Sequence, residues 1–194
     1  VDNEEEDMIE EMFNDMYLKY IPPQIDYIME GKSSDEQAVE PLQMNLKRTP
    51  LNMVKQFCTL MDAIIPEENP PRDIIHLEFL FIYCSVWSFG ACLVDSDRER
   101  FIQHLKSLSN VILPLNNPLY DCLFDYSEKS WVAWERRVGS FVPPSDGMFS
   151  KILVPTVDTV KYSYLLKILV DVKQPVLFVG EPGTAKTVII QNFL

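Results

Sequence analysis

The last stretch of the chain, residues 175–194, restricts the possible folds more than any other part of the sequence. A short apolar run at 175–179 leads into a loop of small residues at 180–187, and an amphipathic segment follows at 188–194. This is the order of strand, loop and helix found in a Walker A phosphate-binding motif. The sequence therefore predicts a buried first strand, a phosphate loop and a first helix, which together begin an α/β nucleotide-binding domain.

Individual residues of this loop suit the binding of a nucleotide. Gly180 and Gly183 let the backbone bend so that its N–H groups face phosphate oxygens. Lys186 supplies positive charge for the outer phosphates, the Thr187 hydroxyl can reach a magnesium ion, and the helix start adds the positive end of its dipole. The predicted binding set is Gly180, Glu181, Pro182, Gly183, Thr184, Ala185, Lys186, Thr187 and Val188, with Thr187 as the magnesium ligand.

The motif departs from the pattern G-x-x-x-x-G-K-[ST] at one position, where Ala185 replaces the second glycine. Alanine is small enough for the loop to form, but its methyl group would penalise a left-handed backbone at that point. We therefore expect a working, modified phosphate loop. The alternative is a chance glycine-rich turn that follows a strand.

No second strand ending in acidic residues follows the loop within the sequence. The Walker B carboxylates that hold magnesium and orient the attacking water are therefore not among these residues. We expect the chain to be a segment of a longer polypeptide that contains no catalytic residues of its own and does not hydrolyse ATP alone.

Charge and hydropathy argue against two classes of partner. The formal net charge of −12 is unfavourable for a nucleic-acid-binding surface, which needs clustered lysine and arginine. The longest apolar stretch, 77–94, is barely long enough to span a bilayer and contains Glu78. A helix buried in a large soluble protein is favoured over a membrane span.

The cysteines and histidines do not form a metal-binding pattern. The two histidines, His76 and His104, have no ligand spacing relative to the cysteines, so a zinc site is not expected. Three of the cysteines lie in apolar surroundings, which is typical of free thiols in a reducing compartment. The four are Cys58, Cys84, Cys92 and Cys122.

The first part of the chain has the periodicity of packed helices. Methionines at 8, 12 and 16 with Tyr20 mark one helix face, which suits core packing better than an adaptable docking surface. Pro-Pro pairs are predicted to end segments because proline cannot continue a helix; they occur at 22–23, 70–71 and 143–144. Further helices are predicted over 51–65 (ended by Pro66), over 72–94, and from a cap at Asp95 or Ser96 to Leu108.

The second part of the chain changes character. Residues 119–126 and 131–136 are predicted to pair as a β-hairpin about the turn 127–130, with Trp131 and Trp134 packing across the strands. Thr156 or Asp158 is predicted to cap a helix that continues through Leu169. The expected fold class is a mainly α-helical lid with a β-hairpin, followed by the start of an α/β P-loop domain.

These segments together are similar to one family. Residues 152–162 and 175–187 resemble the start of the third AAA+ module of dynein heavy chains, and the axonemal branch is the most similar. The upstream segments resemble the linker and helical lid that close the second module; they are 20–23, 53–63, 77–81 and 86–90.

The resemblance implies domains and ligands. Residues 1–114 would be the lid of the preceding module, 115–150 a hairpin connector, and 151–194 the start of the next nucleotide-binding domain. It implies ATP or ADP with Mg²⁺ as cofactors, and adenine contacts at Leu153, Val154 and Pro155. From the residues alone, the same three could be an apolar lead-in to a helix.

The function implied by the resemblance is that of a regulatory site in a minus-end-directed microtubule motor, an ATPase as the full-length parent. Adjacent AAA+ modules, microtubules and dynein light and intermediate chains would be partners, and nucleic acid and membrane would not. The implied location is cytoplasm, cytoskeleton and ciliary or flagellar axoneme. Two alternatives are a non-motor AAA+ or P-loop scaffold with a structural nucleotide site, and a helical interaction module with an accidental loop.

Overall fold

The computed structural model describes residues 3–32, 39–115, 118–141 and 154–194. Helices dominate and a two-stranded antiparallel hairpin lies between the fourth and fifth helices, so the predicted fold class is confirmed. The elements are α1 Asn3–Glu30, α2 Pro50–Ile64, α3 Ile74–Ser88, α4 Asp95–Leu108, β1 Cys122–Asp125, β2 Ser130–Ala133, α5 Val157–Asp171 and α6 Lys186–Phe193. Short 3₁₀ turns cover Gly90–Cys92, Leu119–Asp121 and Trp134–Arg137.

Helix α1 continues through Pro22 and Pro23, so the prediction that this pair ends a segment is wrong. Each proline removes a backbone donor, which costs a helix interior about 3 kcal/mol. Residues on both sides of the pair are nevertheless fully buried, among them Tyr20 and Ile28. The Gln24 amide also donates to the Ser85 hydroxyl of α3 at 3.0 Å. Packing along the whole length of α1 therefore outweighs the two lost hydrogen bonds.

The methionine face of α1 becomes progressively more buried along the helix. Met8 is 45% exposed, Met12 is half-buried and Met16 is buried, as is Tyr20 one turn later. Core packing is therefore confirmed for the later turns, whereas Met8 lies at the surface.

Helix α2 has the predicted bounds within one residue. The Thr49 hydroxyl accepts a hydrogen bond from the Asn52 N–H at 3.3 Å, and Pro50 occupies the first helical position, where no N–H is needed. The helix ends at Ile64, before Pro66, and the pair at 70–71 lies in the loop that follows. The pair at 143–144 lies outside the described residues.

Helix α3 is shorter than predicted, because it ends at Ser88 and gives way to a 3₁₀ turn that begins at Gly90. A methyl group on Gly90 would lie 2.2 Å from the Tyr120 hydroxyl, so the chain comes too close here for any side chain. The Arg48 guanidinium donates to the Ser88 carbonyl at 2.6 Å and satisfies the end of the helix. At the other end, Asp73 caps α3 by accepting from the Ile75 N–H at 3.0 Å.

The segment Ile74–Cys92 is long and apolar enough, by length and composition, to cross a membrane. However, 78% of it is buried inside the protein, where it contacts α1, α2 and the hairpin. Its central position in the core accounts for its apolar composition.

Helix α4 begins at Asp95 instead of being capped by it, so the predicted cap at Asp95 or Ser96 is wrong. The N-cap residue is Val94, which has no side-chain acceptor to offer. Asp97 instead accepts a hydrogen bond from the Gln43 N–H at 2.7 Å and one from Arg100 at 2.9 Å. The Gln43 hydrogen bond, assisted by Arg100, lowers the pKa of the Asp97 carboxyl. The helix ends at Leu108, as predicted.

A tight turn follows α1 at Gly31, which has a left-handed φ of 67°. The Val39 N–H donates to the Gly31 carbonyl at 2.9 Å. A methyl group on Gly31 would lie 1.7 Å from the Val39 carbonyl oxygen. This position therefore requires glycine both for its backbone angle and for the close approach.

One buried carboxylate joins three segments of the helical part of the chain. The Glu78 carboxylate accepts from the Lys19 ammonium at 2.5 Å, the Tyr20 hydroxyl at 2.7 Å and the Asn110 N–H at 3.0 Å. Burial by itself would raise the pKa of Glu78, but these donors outweigh it and lower the pKa. Burial and the neighbouring carboxylate raise the pKa of Tyr20, which stays a donor.

The hairpin is shorter than predicted, because 3₁₀ turns replace the outer end of each strand. Phe124 and Trp131 are directly opposite in the register and their ring centroids lie 5.4 Å apart, which confirms cross-strand packing for Trp131. The same prediction for Trp134 is wrong, because Trp134 follows β2 and is fully buried 5.4 Å from the Tyr164 ring of α5. The hairpin packs on α3. The domain boundaries at 114 and 150 stay a prediction.

Helix α5 starts at the predicted cap. The Thr156 hydroxyl accepts from the Thr159 N–H at 3.2 Å, and the Thr159 hydroxyl accepts from the Thr156 N–H at 2.7 Å. This reciprocal pair forms a capping box, so Thr156 and not Asp158 begins the helix.

The cysteines of the described residues are free thiols. Cys84 and Cys122 are buried, Cys92 is half-buried and Cys58 is exposed, so two of the four lie in the interior. Among the described residues, no group of three side chains is placed to hold a metal ion.

Candidate phosphate-binding site

The apolar run before the loop is not a buried strand, so this part of the motif prediction is wrong. Leu177 is 77% exposed and Val179 is 59% exposed, whereas Val176 and Phe178 are half-buried. A strand exists only when its backbone pairs with another, and no described segment pairs with 175–179. The alternating burial leaves one side of the run uncovered.

The loop is anchored on both sides by α5 and α6. Helix α5 ends in a tight turn at Lys173, whose φ is 58°, and the Gln174 N–H donates to the Leu169 carbonyl at 2.9 Å. Helix α6 packs against α5, and Ile189 is its buried residue. These contacts hold the loop between two helices although the run before it is unpaired.

The loop backbone is left-handed at two positions. Gly183 has a φ of 84°, and Ala185, the residue before α6, has φ 58° and ψ 10°. The penalty expected for a methyl group at position 185 is therefore present, at about 1–2 kcal/mol. Gly180 differs, because its φ is not left-handed and a methyl group there would meet its nearest neighbour, the Thr184 hydroxyl, at an ordinary 3.4 Å. The bend at Gly180 does not require glycine.

The Lys186 ammonium lies inside the loop. It donates to the Gly180 carbonyl at 2.9 Å, the Glu181 carbonyl at 2.6 Å and the Thr184 hydroxyl at 2.9 Å. The Thr184 hydroxyl in turn donates to the Glu181 carbonyl at 2.8 Å. Lys186 is the only lysine or arginine between residues 175 and 194, so the positive charge of the motif resides on this one group.

Two further predicted residues lie on the first turn of α6. Thr187 and Val188 follow Lys186 directly and both are exposed. Their position at the start of the helix places them beside its free N–H groups. The structure thus brings residues 180–188 together in one loop and helix start.

The predicted adenine contacts lie before α5. Val154 is 50% exposed and Pro155 is half-buried, while Leu153 lies outside the described residues. Their role as adenine contacts stays a prediction.

The donor set of the loop fits a phosphate group. An ammonium, the N–H groups of a helix start and the left-handed turn at Gly183 favour an anion. The Thr187 hydroxyl is an oxygen ligand of the kind that magnesium accepts, with the remaining ligands coming from phosphates and water. The residues present therefore fit a nucleotide with Mg²⁺, with Lys186 and Thr187 as the groups that would hold them.

A second feature, which the sequence did not reveal, lies at the start of α5. The Lys161 ammonium is buried between Asp158 at 2.9 Å and Asp121 at 3.7 Å. Pro118, Asp121, Glu135, Val157 and Asp158 line a shallow cleft at this point. Asp121 belongs to the 3₁₀ turn before the hairpin and Asp158 to α5, so the lysine joins these two elements. Only the fold brings them together, because they are 37 residues apart in the sequence.

Comparison with known proteins gives consistent results over most of the chain. A family model described as "Dynein heavy chain AAA lid domain" matches residues 9–136, and one described as "P-loop containing dynein motor region" matches residues 141–194. The dynein-1-alpha heavy chain of the flagellar inner arm I1 complex of Chlamydomonas reinhardtii is 40% identical over 194 residues, and human dynein axonemal heavy chain 10 is 37% identical over 196. These alignments cover 92% and 93% of this chain and 4% of each relative.

Proposed function

The chain belongs to the dynein heavy chain family, and we propose that it forms the part of a motor ring that runs from the helical lid of the second AAA+ module to the Walker A loop of the third. Its phosphate loop binds ATP or ADP with Mg²⁺ and regulates the motor. The chain spans about 4% of the length of these relatives. The activity of the whole protein, an ATP-dependent microtubule motor, is therefore part of the proposal.

The observation that carries the regulatory role is the packing of α5 against both the lid and the hairpin connector. The Trp134 and Tyr164 ring centroids lie 5.4 Å apart, and Trp87 of α3 contacts Tyr162 edge to face at 6.4 Å. The buried Lys161 pairs with Asp158 of α5 and with Asp121 of the 3₁₀ turn before the hairpin. Buried aromatic contacts of this kind resist relative movement of the two parts.

The phosphate loop is connected to this contact. Helix α6, which begins at Lys186, packs on α5 through Ile189, and α5 packs on α2 of the lid. When phosphates draw Lys186 and the start of α6 toward them, the change reaches the lid through α5. Nucleotide at this loop would thereby favour one relative orientation of neighbouring modules and bias communication with the hydrolytic module and the track-binding end.

Binding and hydrolysis are separable at this site. Lys186 would hold the outer phosphates and Thr187 the magnesium ion, while Leu153, Val154 and Pro155 would contact the adenine. Hydrolysis also needs a carboxylate that orients water and an arginine from a neighbour. This segment is therefore proposed to bind nucleotide without turning it over alone.

The expected setting follows from the names of the relatives, which are axonemal and flagellar dyneins. We place this chain in the cytoskeleton of the ciliary or flagellar axoneme, within the cytoplasm. Adjacent AAA+ modules, microtubules, and dynein light and intermediate chains are the proposed partners, and nucleic acid and membranes are not.

The test is microtubule gliding and ATPase activity measured on the same full-length motor. Lys186→Ala removes the charge and Lys186→Arg keeps it in a different shape, so both should weaken nucleotide binding and slow or uncouple gliding. Turnover at the first module should stay measurable. Lys167→Ala is the matched control, because Lys167 is an exposed lysine of α5 that pairs only with Asp171 among the described residues.

Unchanged gliding speed and unchanged microtubule-stimulated turnover with Lys186→Ala would refute the regulatory role and leave a structural nucleotide site. If the full-length protein showed neither microtubule gliding nor microtubule-stimulated ATPase activity, the alternative of a non-motor scaffold would be favoured over a motor.

A further inference from the structure

The ammonium group of Lys186 has all its donors satisfied by the loop itself. An ammonium has three N–H donors. Its three acceptors are the Gly180 carbonyl, the Glu181 carbonyl and the Thr184 hydroxyl, at 2.6–2.9 Å. In this arrangement the lysine closes the loop that would otherwise surround a phosphate.

The same three donors are those that would hold the outer phosphates of a nucleotide. While all three are given to the loop, none is left for phosphate oxygens, so binding must release at least one of the loop bonds. Phosphate oxygens are ionised and make stronger hydrogen bonds than neutral carbonyl or hydroxyl oxygens. The exchange is therefore favourable in the direction of binding, but the loop must release its lysine first.

Thr184 differs from the other two acceptors because its oxygen belongs to a side chain. The Gly180 and Glu181 oxygens are carbonyls of the backbone and are present whatever residues stand there. The Thr184 hydroxyl accepts from Lys186 and also donates to the Glu181 carbonyl at 2.8 Å. It therefore supports the closed loop twice, and it is the one acceptor that a substitution can remove.

We propose that Thr184 is a positioning residue that holds Lys186 in the closed loop and thereby slows the entry of nucleotide. This inference rests on the proposed function, since it concerns the same site. Thr184 acts through Lys186 and needs no contact between its hydroxyl and the nucleotide.

The matched variants are Thr184→Val, which keeps the shape but removes the hydroxyl, and Thr184→Ser, which keeps the hydroxyl. Association of a fluorescent mant-ADP with the 194-residue chain in the presence of Mg²⁺ is measured by stopped flow. Loss of one hydrogen bond to a charged group, taken at the lower end of its usual strength, should raise the association rate about tenfold. Thr184→Ser should keep the wild-type rate, and dissociation should change little in either variant.

A second measurement needs no nucleotide. In ¹⁵N-lysine-labelled chain, a hydrogen-bonded ammonium exchanges its protons slowly enough to give its own NMR signal, which Lys186→Arg identifies by removing it. We expect this signal in wild type and Thr184→Ser, and its loss by fast exchange in Thr184→Val. Addition of tripolyphosphate should shift it in wild type.

The outcomes separate the two proposals. If Lys186→Ala binds mant-ADP as wild type does, or if neither protein binds it, the proposal that this loop is a nucleotide site is refuted. Two results would overturn the role of Thr184 even where Lys186 is required for binding. The first is a wild type without a protected ammonium signal. The second is a Thr184→Val variant in which both the signal and the association rate are unchanged.

Discussion

Replacing Glu78 by leucine should destabilise the lid far more than the same change at an exposed glutamate. Leucine is similar in size, so the substitution removes the acceptor without leaving a large cavity. It deprives three donors of their partner: the Lys19 ammonium, the Tyr20 hydroxyl and the Asn110 N–H. These donors come from α1 and from the loop after α4, so one carboxylate holds three segments together.

The magnitude follows from the burial of each donor. Tyr20 is fully buried, and the Asn110 bond is partly buried, so each orphaned donor costs about 1–3 kcal/mol. The Lys19 side chain is 24% exposed and can return to water, so it adds little. The gain from burying leucine offsets part of the cost. We expect a net loss of about 3 kcal/mol in the free energy of unfolding, in the range known for broken buried ion pairs.

Urea denaturation of the chain, followed by far-UV circular dichroism, measures this loss. Glu10→Leu is the control, because Glu10 is exposed on α1 and its change should stay within about 0.5 kcal/mol. Tyr20→Phe should cost about 1 kcal/mol in wild type and nothing, or a gain, in the Glu78→Leu background, because it removes an orphaned donor. Equal losses for Glu78→Leu and Glu10→Leu, or additive effects of the Tyr20 and Glu78 changes, would show the reasoning to be wrong.

The Glu78 carboxylate should also make the free energy of unfolding depend on pH. Its pKa is lower in the folded chain than in the unfolded one, so its contribution is fully present above the unfolded pKa, which is about 4.3. The contribution is lost as the pH falls below that value and through the folded pKa. Glu78→Gln, which cannot ionise, should therefore reduce the slope of stability against pH in the acid range. An unchanged slope would contradict this assignment.

Three further substitutions test the backbone of the lid and of the loop. Gly31→Ala should destabilise the chain by about 2 kcal/mol or more in thermal unfolding, because the new methyl group would combine a left-handed φ with a 1.7 Å clash. Gly139→Ala is the control and should be neutral, because a methyl group there would meet nothing within 4 Å. Gly90→Ala should also destabilise, and Tyr120→Phe should recover part of the loss, because the new methyl group would lie 2.2 Å from the Tyr120 hydroxyl; absence of any recovery would refute that contact. Ala185→Gly should relieve about 1–2 kcal/mol of left-handed strain, and the greater entropy of glycine in the unfolded chain should cancel about 0.5–1 kcal/mol of that gain. The variant should therefore bind nucleotide at least as tightly as wild type in a titration. Weaker binding would show that the methyl group is needed.

Local sequence signals sufficed where a single residue fixes a boundary. Pro66 follows the end of α2, as predicted, and Thr156, one of the two predicted caps, begins α5. Caps and prolines act on the backbone within three or four residues, so their effect is readable without knowledge of the fold. The hairpin was identified for the same reason, from a short polar turn between two apolar runs.

The errors lie where distant residues decide the outcome. The sequence predicted a break at Pro22–Pro23, yet burial of the flanking residues against α3 and α4 keeps α1 continuous. It predicted one long helix over 72–94, yet α3 ends at Ser88, where the distant Arg48 donates to the Ser88 carbonyl. The chain then turns at Gly90, close to Tyr120. Trp134 was assigned to a strand because its partner, Tyr164 of α5, lies 30 residues away.

The candidate site divides in the same way. The order of glycines, lysine and threonine determined a loop that can hold phosphates, and it located the strain at Ala185, because these depend on neighbouring residues alone. The tertiary structure decided three other features. They are the absence of strand pairing between 175–179 and another described segment, the oxygens that surround the Lys186 ammonium, and the pairing of Lys161 of α5 with Asp121 before the hairpin. A strand needs a partner and a buried charge needs a counter-charge, and in both cases the partner is supplied by the fold and not by the adjoining sequence.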